Sequence, residues 1–290
     1  MQTRPRALAA LTLAGLSLAT QVMARPPAAE DPRASAIQRF DSPAAALGHL
    51  LKTRPRVVAF GEYHELEGAP KVPSALRRFT DQLLPVLAPK ASDLVVETFV
   101  PEGRCGKTEE TVVRDVEQTT QRPATTESEL VTLLKSAQAA GVGPHILSVS
   151  CADYEAVEGE DEQVDYEKLL LLIKTHLQRK ITEVLGRRAR DHRIIAVYGG
   201  ALHNDLYPRP LLSAFTFGAE IRRLTGGRYL EVDLYVPEYI ERDEALVREW
   251  WYPLAQRKAR PGDTVLVRRG PGSYIILLPR TSPGREPQGR

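Results

Sequence analysis

The sequence predicts an α/β protein with a central, mostly parallel β-sheet, helices on both faces of the sheet and a C-terminal β-hairpin. Short apolar runs alternate along the chain with longer stretches whose apolar residues recur every three or four positions, which is typical of βαβ units. The apolar run at 57–60 leads directly into Gly61, as expected of a strand buried on both faces. Near the C-terminus, Gly270-Pro271-Gly272 separates two strand-like segments and predicts the hairpin.

Composition places the chain among ordinary globular proteins. Of its 290 residues, 42% are hydrophobic and 26% are charged, which excludes a largely disordered chain. The net charge of +2 falls to zero without the first 24 residues, where Arg4 and Arg6 are the only charged side chains. A neutral chain gives no electrostatic reason to expect nucleic acid or an anionic membrane as a partner.

Residues 1–24 have the pattern of a secretory signal peptide. Arg4 and Arg6 give a positive start, residues 7–20 form an apolar run, and Val22-Met23-Ala24 has the small-residue spacing of a cleavage site. The apolar run is shorter than the roughly 20 residues that span a bilayer. We therefore expect a protein that is exported to the periplasm or secreted, without a transmembrane anchor in the mature chain.

Three further segments follow the predicted leader. Residues 25–41 are rich in proline and alanine and predict a flexible linker, 42–279 predict a single α/β domain, and 280–290 predict a disordered tail. The predicted helices lie at 42–51, 72–87, 127–140, 164–189, 209–224 and 243–258. The predicted strands lie at 56–61, 92–99, 145–151, 193–200 and 229–236, and the hairpin pairs 264–269 with 273–278.

Local signals set several of these boundaries. Ser42 and Pro43 are residue types that cap and begin a helix. Pro85 falls inside the 72–87 pattern and predicts a kink or an end there. Gly141 follows the 127–140 pattern, and Gly226-Gly227 follows the 209–224 pattern, so both mark helix ends.

Ionisable side chains follow the first four predicted strands. Right-handed connections place the carboxyl ends of these strands at one edge of the sheet, where ligands bind in open α/β sheets. Two histidines with neighbouring carboxylates can form a metal site with an open position, or a general-base pair. The side chains expected at this edge are those of Glu62, His64, Glu97, Asp153, Tyr154 and His203.

Several other kinds of site are excluded by missing motifs. The chain has no Gly-x-Ser-x-Gly elbow, no phosphate-binding loop and no Gly-x-Gly-x-x-Gly turn after a strand. Cys105 and Cys151 are its two cysteines, which excludes a cysteine-rich metal site. Because both follow predicted strand ends and an exported compartment is oxidising, we expect a disulfide between them.

The residues at the predicted edge resemble the motifs of a known superfamily. It contains the ChaN-like haem-binding uptake proteins, the Tiki/TraB-type proteins and the erythromycin esterases. The resemblance covers about residues 45–240 and implies a central sheet with flanking helices and a site at the motif histidines. It is carried by Gly61-Glu62-Tyr63-His64, by Glu97, and by Gly199-Gly200-Ala201-Leu202-His203.

The resemblance implies more than one activity. Esterase-like members use a histidine to activate water, Tiki-like members are metal-dependent proteases, and ChaN-like members bind haem. The first interpretation is an exported hydrolase-like enzyme that acts on a small molecule or a peptide. In it, His64 is a general base or metal ligand with Glu97 as its partner, and His203 is a second ligand or transition-state stabiliser. Glu62 is a further catalytic candidate. A divalent metal ion is the implied cofactor, with His64, Glu97 and His203 as its ligands.

Two alternatives come from other functional classes. One is a haem- or metal-binding uptake protein without hydrolytic activity, in which Tyr63, Tyr154 or a motif histidine is an axial ligand. The other is a site that has lost its chemistry and binds a partner. A visible absorption band on addition of haem distinguishes the first of these from a hydrolase.

Export gives a first testable prediction. N-terminal sequencing of secreted or periplasmic protein should begin at or near Arg25, because the cleavage pattern ends at Ala24. Mature protein that is found in the cytosol and still begins at Met1 would contradict the signal-peptide interpretation.

Overall fold

The centre of the fold is an eight-stranded mixed sheet. The computed structural model describes residues 36–66, 68–101, 123, 125–157, 164–257 and 263–281, so the predicted leader, most of the predicted linker, Cys105 and most of the predicted tail lie outside the described residues. The strands, in chain order, are β1 (Ile37–Phe40), β2 (Val57–Glu62), β3 (Ala91–Pro101), β4 (Gly143–Val149), β5 (Ile194–Gly200), β6 (Tyr229–Tyr235), β7 (Thr264–Gly270) and β8 (Ser273–Leu277).

The predicted sheet topology is confirmed in its main features. The spatial order is β1-β7-β8-β6-β2-β5-β3-β4, and every pairing is parallel except β1 with β7 and β7 with β8. The β7–β8 hairpin turns at Gly272, whose positive φ of 85° suits a residue without a Cβ. Strand β2 lies inside the sheet between β6 and β5, and all six of its residues are buried.

Helices cover both faces of this sheet. The α-helices within the described residues are α1 (Pro43–Leu50), α2 (Ala75–Arg78), α3 (Leu84–Leu87), α4 (Thr125–Ala139), α5 (Cys151–Glu155), α6 (Tyr166–Arg187), α7 (Ala201–Asn204), α8 (Gly218–Leu224) and α9 (Tyr252–Gln256). Val58 and Phe60 of β2 belong to a core formed with α1, α2, α3 and α4. Val57 and Ala59 point to the other face and belong to a core formed with α6 and α8.

The predicted helix at 72–87 forms, but with a wider turn in its middle. Residues 79–83 adopt a π-helical turn, in which the Leu84 amide donates to the Phe79 carbonyl. Pro85 has no amide hydrogen to donate, and the wider turn precedes it, so that α3 continues beyond the proline. The proline therefore does not end the segment.

The predicted linker at 25–41 is wrong at its end, because β1 lies there. Residues 37–40 pair antiparallel with β7 at the edge of the sheet, from Ile37 opposite Val267 to Phe40 opposite Thr264. The four residues carry apolar side chains at their ends and polar ones between, so they lack the alternation that indicates a strand. A distant partner strand supplies the pairing that the local sequence does not indicate.

The predicted helix at 209–224 is broken into a 3-10 segment, Pro210–Phe215, and α8. Between them the chain is extended at Thr216, and the Phe217 amide donates to the His203 carbonyl. A Cβ added to Gly218 would lie 2.5 Å from the Asn204 carbonyl oxygen, so α8 begins against the backbone of α7. The helix is therefore interrupted by a contact between Gly218 and a residue that lies outside the predicted 209–224 segment.

The predicted helix at 243–258 is also wrong, since only α9 forms there. Asp243 Oδ1 accepts hydrogen bonds from the amides of Ala245 and Leu246, and the residues that follow form turns without continuing into a helix. Trp251 is buried against Tyr235 and forms part of a third core with β7 and β8. The apolar pattern of this segment therefore reflects burial of a series of turns.

Candidate functional site

The site is built around the pairing of β2 with β5. Their parallel register places Gly61 opposite Gly199 and Glu62 opposite Gly200, at the ends of both strands. Glu62 is 4% exposed, although it is an acid at the end of a strand. A buried carboxylate requires hydrogen-bond partners, and the partners of Glu62 define the site.

Glu62 holds the ring of His64. Its Oε1 lies 2.8 Å from Nδ1 of His64, and its Oε2 accepts a hydrogen bond from the hydroxyl of Tyr198. An ionised carboxylate only accepts, so Nδ1 of His64 carries the proton and the basic lone pair of the neutral ring is on Nε2. Tyr198 is buried and its ring packs against Phe79, which fixes the second partner of the carboxylate.

Glycines allow the other side chains to approach β5. The Gly200 amide donates to Oε2 of Glu97 at 2.6 Å. A Cβ added to Gly199 would lie 2.3 Å from that same oxygen, and one added to Gly200 would lie 2.9 Å from Nε2 of His64. Both glycines are therefore required by close approach, and the imidazole of His64 and the carboxylate of Glu97 lie on adjoining parts of the β5 end.

His203 completes the group from α7. It is 3% exposed, and its Nδ1 lies 2.9 Å from the carbonyl oxygen of Phe215. Because a carbonyl accepts only, Nδ1 donates and Nε2 is the atom that faces Glu97, at 3.9 Å from Oε1. The structure thus brings together four of the predicted residues: Glu62, His64, Glu97 and His203.

The other predicted residues lie elsewhere. The Tyr63 hydroxyl donates to Asp243, and its ring stacks on Tyr235 at 5.9 Å. Burial raises the pKa of Tyr63, and the Asp243 carboxylate raises it further. Asp153 accepts from the Ser150 hydroxyl and lies 3.6 Å from Nε2 of His176, apart from Glu97. The side chain of Tyr154 lies outside the described residues.

Sequence reasoning missed two side chains near the site. Tyr198 lies within an apolar strand, and only the alternation of β5, which places it on the same face as its neighbour Phe60, indicates where its hydroxyl goes. Glu129 of α4 accepts a hydrogen bond from Ser74. Burial raises the pKa of Glu129, the Ser74 hydrogen bond lowers it, and the charge of Glu62 raises it further.

The resemblance implies a metal ion or a haem at these side chains. Fixing Nδ1 of each histidine with an oxygen acceptor and presenting Nε2 is the arrangement of metal-binding histidines. Within the described ranges, however, no group of three or more His, Cys, Asp or Glu side chains could hold a metal ion. Tyr63, one of the expected haem ligands, has its hydroxyl bound to Asp243. The metal ion and the haem therefore stay predictions from the resemblance.

Comparisons with known proteins give distant structural neighbours. No protein-family model matches the chain, and no curated protein matches it. Among solved structures, it is similar to the type III effector HopBA1, with 14% identity and a TM-score of 0.43 over 83% of this chain and 94% of that one. It is also similar to a Bacillus cereus protein, with 12% identity and a TM-score of 0.38 over 84% and 95% of the two chains. Similarity at this level says nothing about function.

Two further observations bear on the remaining expectations. Cys151 is disulfide-bonded, and the other cysteine of the chain, Cys105, lies outside the described residues. Among the helices that the structure describes, none combines the length and apolar character needed to cross a membrane.

An acidic network is buried directly beside the site. Glu231 and Asp233 lie on the same face of β6 and are 0% and 1% exposed, and Arg269 of β7 contacts both. Burial raises the pKa of Glu231 to about 9 and that of Asp233 to about 7, because one guanidinium does not compensate both carboxylates. Folding therefore favours the protonated forms of this pair relative to the unfolded chain.

This network predicts a pH dependence of stability. The ordinary carboxyl pKa is about 4, so between pH 4 and the raised values the folded protein binds more protons than the unfolded chain. The contribution to the free energy of unfolding is fully present below about pH 4 and is lost as the pH rises through about 7 and about 9. Asp233→Asn and Glu231→Gln should each flatten this decline.

Denaturant unfolding at a series of pH values measures the effect. The difference between each variant and the parent protein should grow with pH by a few kcal/mol, about 1.4 kcal/mol for each unit of pKa shift. Glu220→Gln, at an exposed carboxylate of α8, is the control and should leave the slope unchanged. Equal slopes for Asp233→Asn and the parent would contradict the raised pKa.

Proposed function

We propose that this protein is a hydrolase-like enzyme that activates water through the Glu62–His64 pair. The observation that carries the proposal is the 2.8 Å contact between Glu62 Oε1 and His64 Nδ1, with Nε2 of the same ring directed at the end of β5. A carboxylate that orients a histidine in this way makes the far nitrogen a general base. The resemblance to esterases that activate water with a histidine supports the same activity.

The chemistry divides between the four residues. His64 Nε2 removes a proton from water as the water attacks an ester or amide carbonyl, and Glu62 stabilises the imidazolium that forms. The hydroxyl of Tyr198 donates to the second oxygen of Glu62 and keeps the carboxylate in place. The proton then passes from His64 to the leaving group as the tetrahedral intermediate collapses.

Glu97 and His203 form the opposite side of the site. The Gly200 amide fixes one oxygen of Glu97, and the other oxygen faces Nε2 of His203. Because Nδ1 of His203 already donates to the Phe215 carbonyl, Nε2 carries a proton only in the imidazolium form, and in that form it is directed at Glu97 and placed to donate to an oxyanion or a leaving group beside it. We therefore assign base catalysis to His64 and stabilisation of the transition state to His203.

Replacement of the pair is the direct test. A panel of ester and peptide substrates, assayed with and without chelator, should show hydrolysis that survives the chelator. His64→Ala and Glu62→Gln should each lower kcat by about 10²-fold to 10⁴-fold, the usual contribution of a positioned base. His203→Ala should lower it as well, with the fold retained by circular dichroism.

The chain offers a matched control for this experiment. His145 Nε2 lies 2.8 Å from Asp93 Oδ1, the same contact distance, at the start of β3 and β4 rather than at the end of β2. His145→Gln should leave kcat unchanged. Loss of hydrolysis on chelation, or no hydrolysis together with a haem absorption band that His64→Ala removes, would contradict the proposal.

A second variant tests the space next to His64. The backbone of Gly200 has φ −68° and ψ 141°, which alanine adopts without strain. In Gly200→Ala the new methyl group would meet His64 Nε2, so activity should fall by at least about tenfold while the half-exposed ring moves aside. Gly48→Ala, with nothing within 4 Å of the added Cβ, is the control and should retain full activity.

A further inference from the structure

The short helix that carries His203 is held on β2 and β6 by one side chain. Nδ2 of Asn204 donates to the Ala59 carbonyl at 3.3 Å and to Oδ1 of Asp233 at 3.1 Å. The Asn204 carbonyl in turn accepts from the hydroxyl of Tyr229 at 2.7 Å. Asn204 is 2% exposed, so these contacts are formed away from water.

The chain after Asn204 is held by the same acidic network. The Leu206 amide donates to Oε2 of Glu231 at 2.8 Å. Arg269 NH1 lies 2.9 Å from Oε1 of Glu231 and 3.3 Å from Oδ2 of Asp233, and its NH2 lies 3.5 Å from Oδ1 of Asp205. One guanidinium thus links the two carboxylates of β6 to the turn that follows His203.

Gly61 shows how tightly this turn is packed against the strand of the site. A Cβ added there would lie 2.5 Å from Oδ1 of Asp233, 2.6 Å from the Cα of Ala201 and 2.7 Å from Nδ2 of Asn204. A displacement of Asp233 therefore moves α7 relative to β2. Because Nε2 of His203 faces Glu97, such a movement changes the distance between the two sides of the proposed site.

We propose that Glu231, Asp233 and Arg269 are positioning residues that set the place of His203 in the site. The effect of this positioning on catalysis rests on the proposed function. The positioning of His203 itself does not depend on that function. Arg269 keeps the two buried carboxylates together, and they in turn hold Asn204 and Leu206 on either side of Asp205. The sequence near His203 contains no sign of this dependence, because the three residues lie on β6 and β7.

The charges around the network make the dependence sensitive to pH. The groups that face Glu231 and Asp233 are Arg269 from β7, Asp205 and Asn204 from the turn after His203, and Tyr229 and Tyr235 from β6 itself. Arg269 is the one cation among these described groups. Because Arg269 favours the ionised forms of Glu231 and Asp233, its loss raises the pKa of both carboxylates, and the variant loses the charge-assisted contacts that the parent protein forms as the pH rises. The effect of losing Arg269 should therefore be larger at high pH.

The test compares Arg269→Met and Arg269→Lys with the parent protein, using the best p-nitrophenyl ester of the panel. At pH 8.5, Arg269→Met should lower kcat about tenfold at unchanged KM, and at pH 6 by less than about threefold, since small displacements of a catalytic group have effects of this size. Arg269→Lys keeps the positive charge, so its kcat at pH 8.5 should lie between that of Arg269→Met and that of the parent protein. Adding Asp233→Asn to Arg269→Met should change kcat at pH 8.5 little further, because loss of Arg269 already favours the neutral form of that carboxyl.

Arg188→Met is the matched control. Arg188 Nε lies 3.0 Å from Oδ2 of buried Asp93 at the opposite edge of the sheet, so this variant also deprives a buried carboxylate of its cation. It should lower stability and leave kcat and its pH profile unchanged. A kcat loss in Arg269→Met that is equal at both pH values, or that Arg188→Met reproduces, would overturn the positioning role.

An independent readout needs no substrate. In protein labelled with ¹³C at histidine, the ring signal of His203, assigned with His203→Gln, should shift at pH 8.5 in Arg269→Met and stay unchanged in Arg188→Met. If the parent protein hydrolyses nothing, the proposed function fails and this shift still decides the inference. An unchanged His203 signal in Arg269→Met refutes the positioning role. If Arg269→Met does not fold, the His203 signal of Arg269→Lys at pH 8.5 is used instead, and an unchanged signal there refutes the role.

Discussion

The parallel register between β2 and β5 is the constraint on which the site depends. It aligns Glu62 with Gly200 and Gly61 with Gly199, so that a carboxylate on one strand ends beside backbone without side chains on the other. A Cβ added to Gly61, Gly199 or Gly200 would lie within 3 Å of a functional or supporting group. The absence of side chains there lets Asp233, Glu97 and His64 approach from three directions. A register shifted by one residue would reverse the face of Glu62 and remove its contact with Tyr198.

Much of this arrangement was accessible from the sequence, because it follows from strand ends. An apolar run that stops at glycine marks the end of a buried parallel strand, and such ends share one edge of the sheet. This rule placed Glu62, His64, Glu97 and His203 at the same edge, and the structure brings their side chains together. It also placed Asp153 there, although that carboxylate turns to Ser150 and His176 instead. The end of a predicted strand shows which loop a residue belongs to. The conformation of that loop, which the sequence does not show, determines where the side chain points.

What could not be predicted depends on contacts between distant parts of the chain. Strand β1 exists because β7 offers it an edge, and the break in the predicted 209–224 helix exists because Gly218 meets the backbone of α7. That break has a chemical consequence, since it places the Phe215 carbonyl on Nδ1 of His203. Glu231 and Asp233 likewise appear in the sequence as two acids in a strand pattern. Only the position of β6 next to β2 brings Asp233 to Asn204 and Glu231 to the amide of Leu206.

Two carboxylate–histidine pairs with the same 2.8 Å contact show why geometry alone does not define a base. Asp93, which holds His145, also contacts Arg188, so its charge is shared with a guanidinium. Glu62, which holds His64, has the neutral hydroxyl of Tyr198 as its second described partner. His64 also stands at the carboxyl ends of the strands, beside a second histidine and Glu97, whereas His145 stands at the opposite edge. The difference between the pairs therefore lies in the edge of the sheet at which each stands, and this position favours His64 as the group that takes a proton from water.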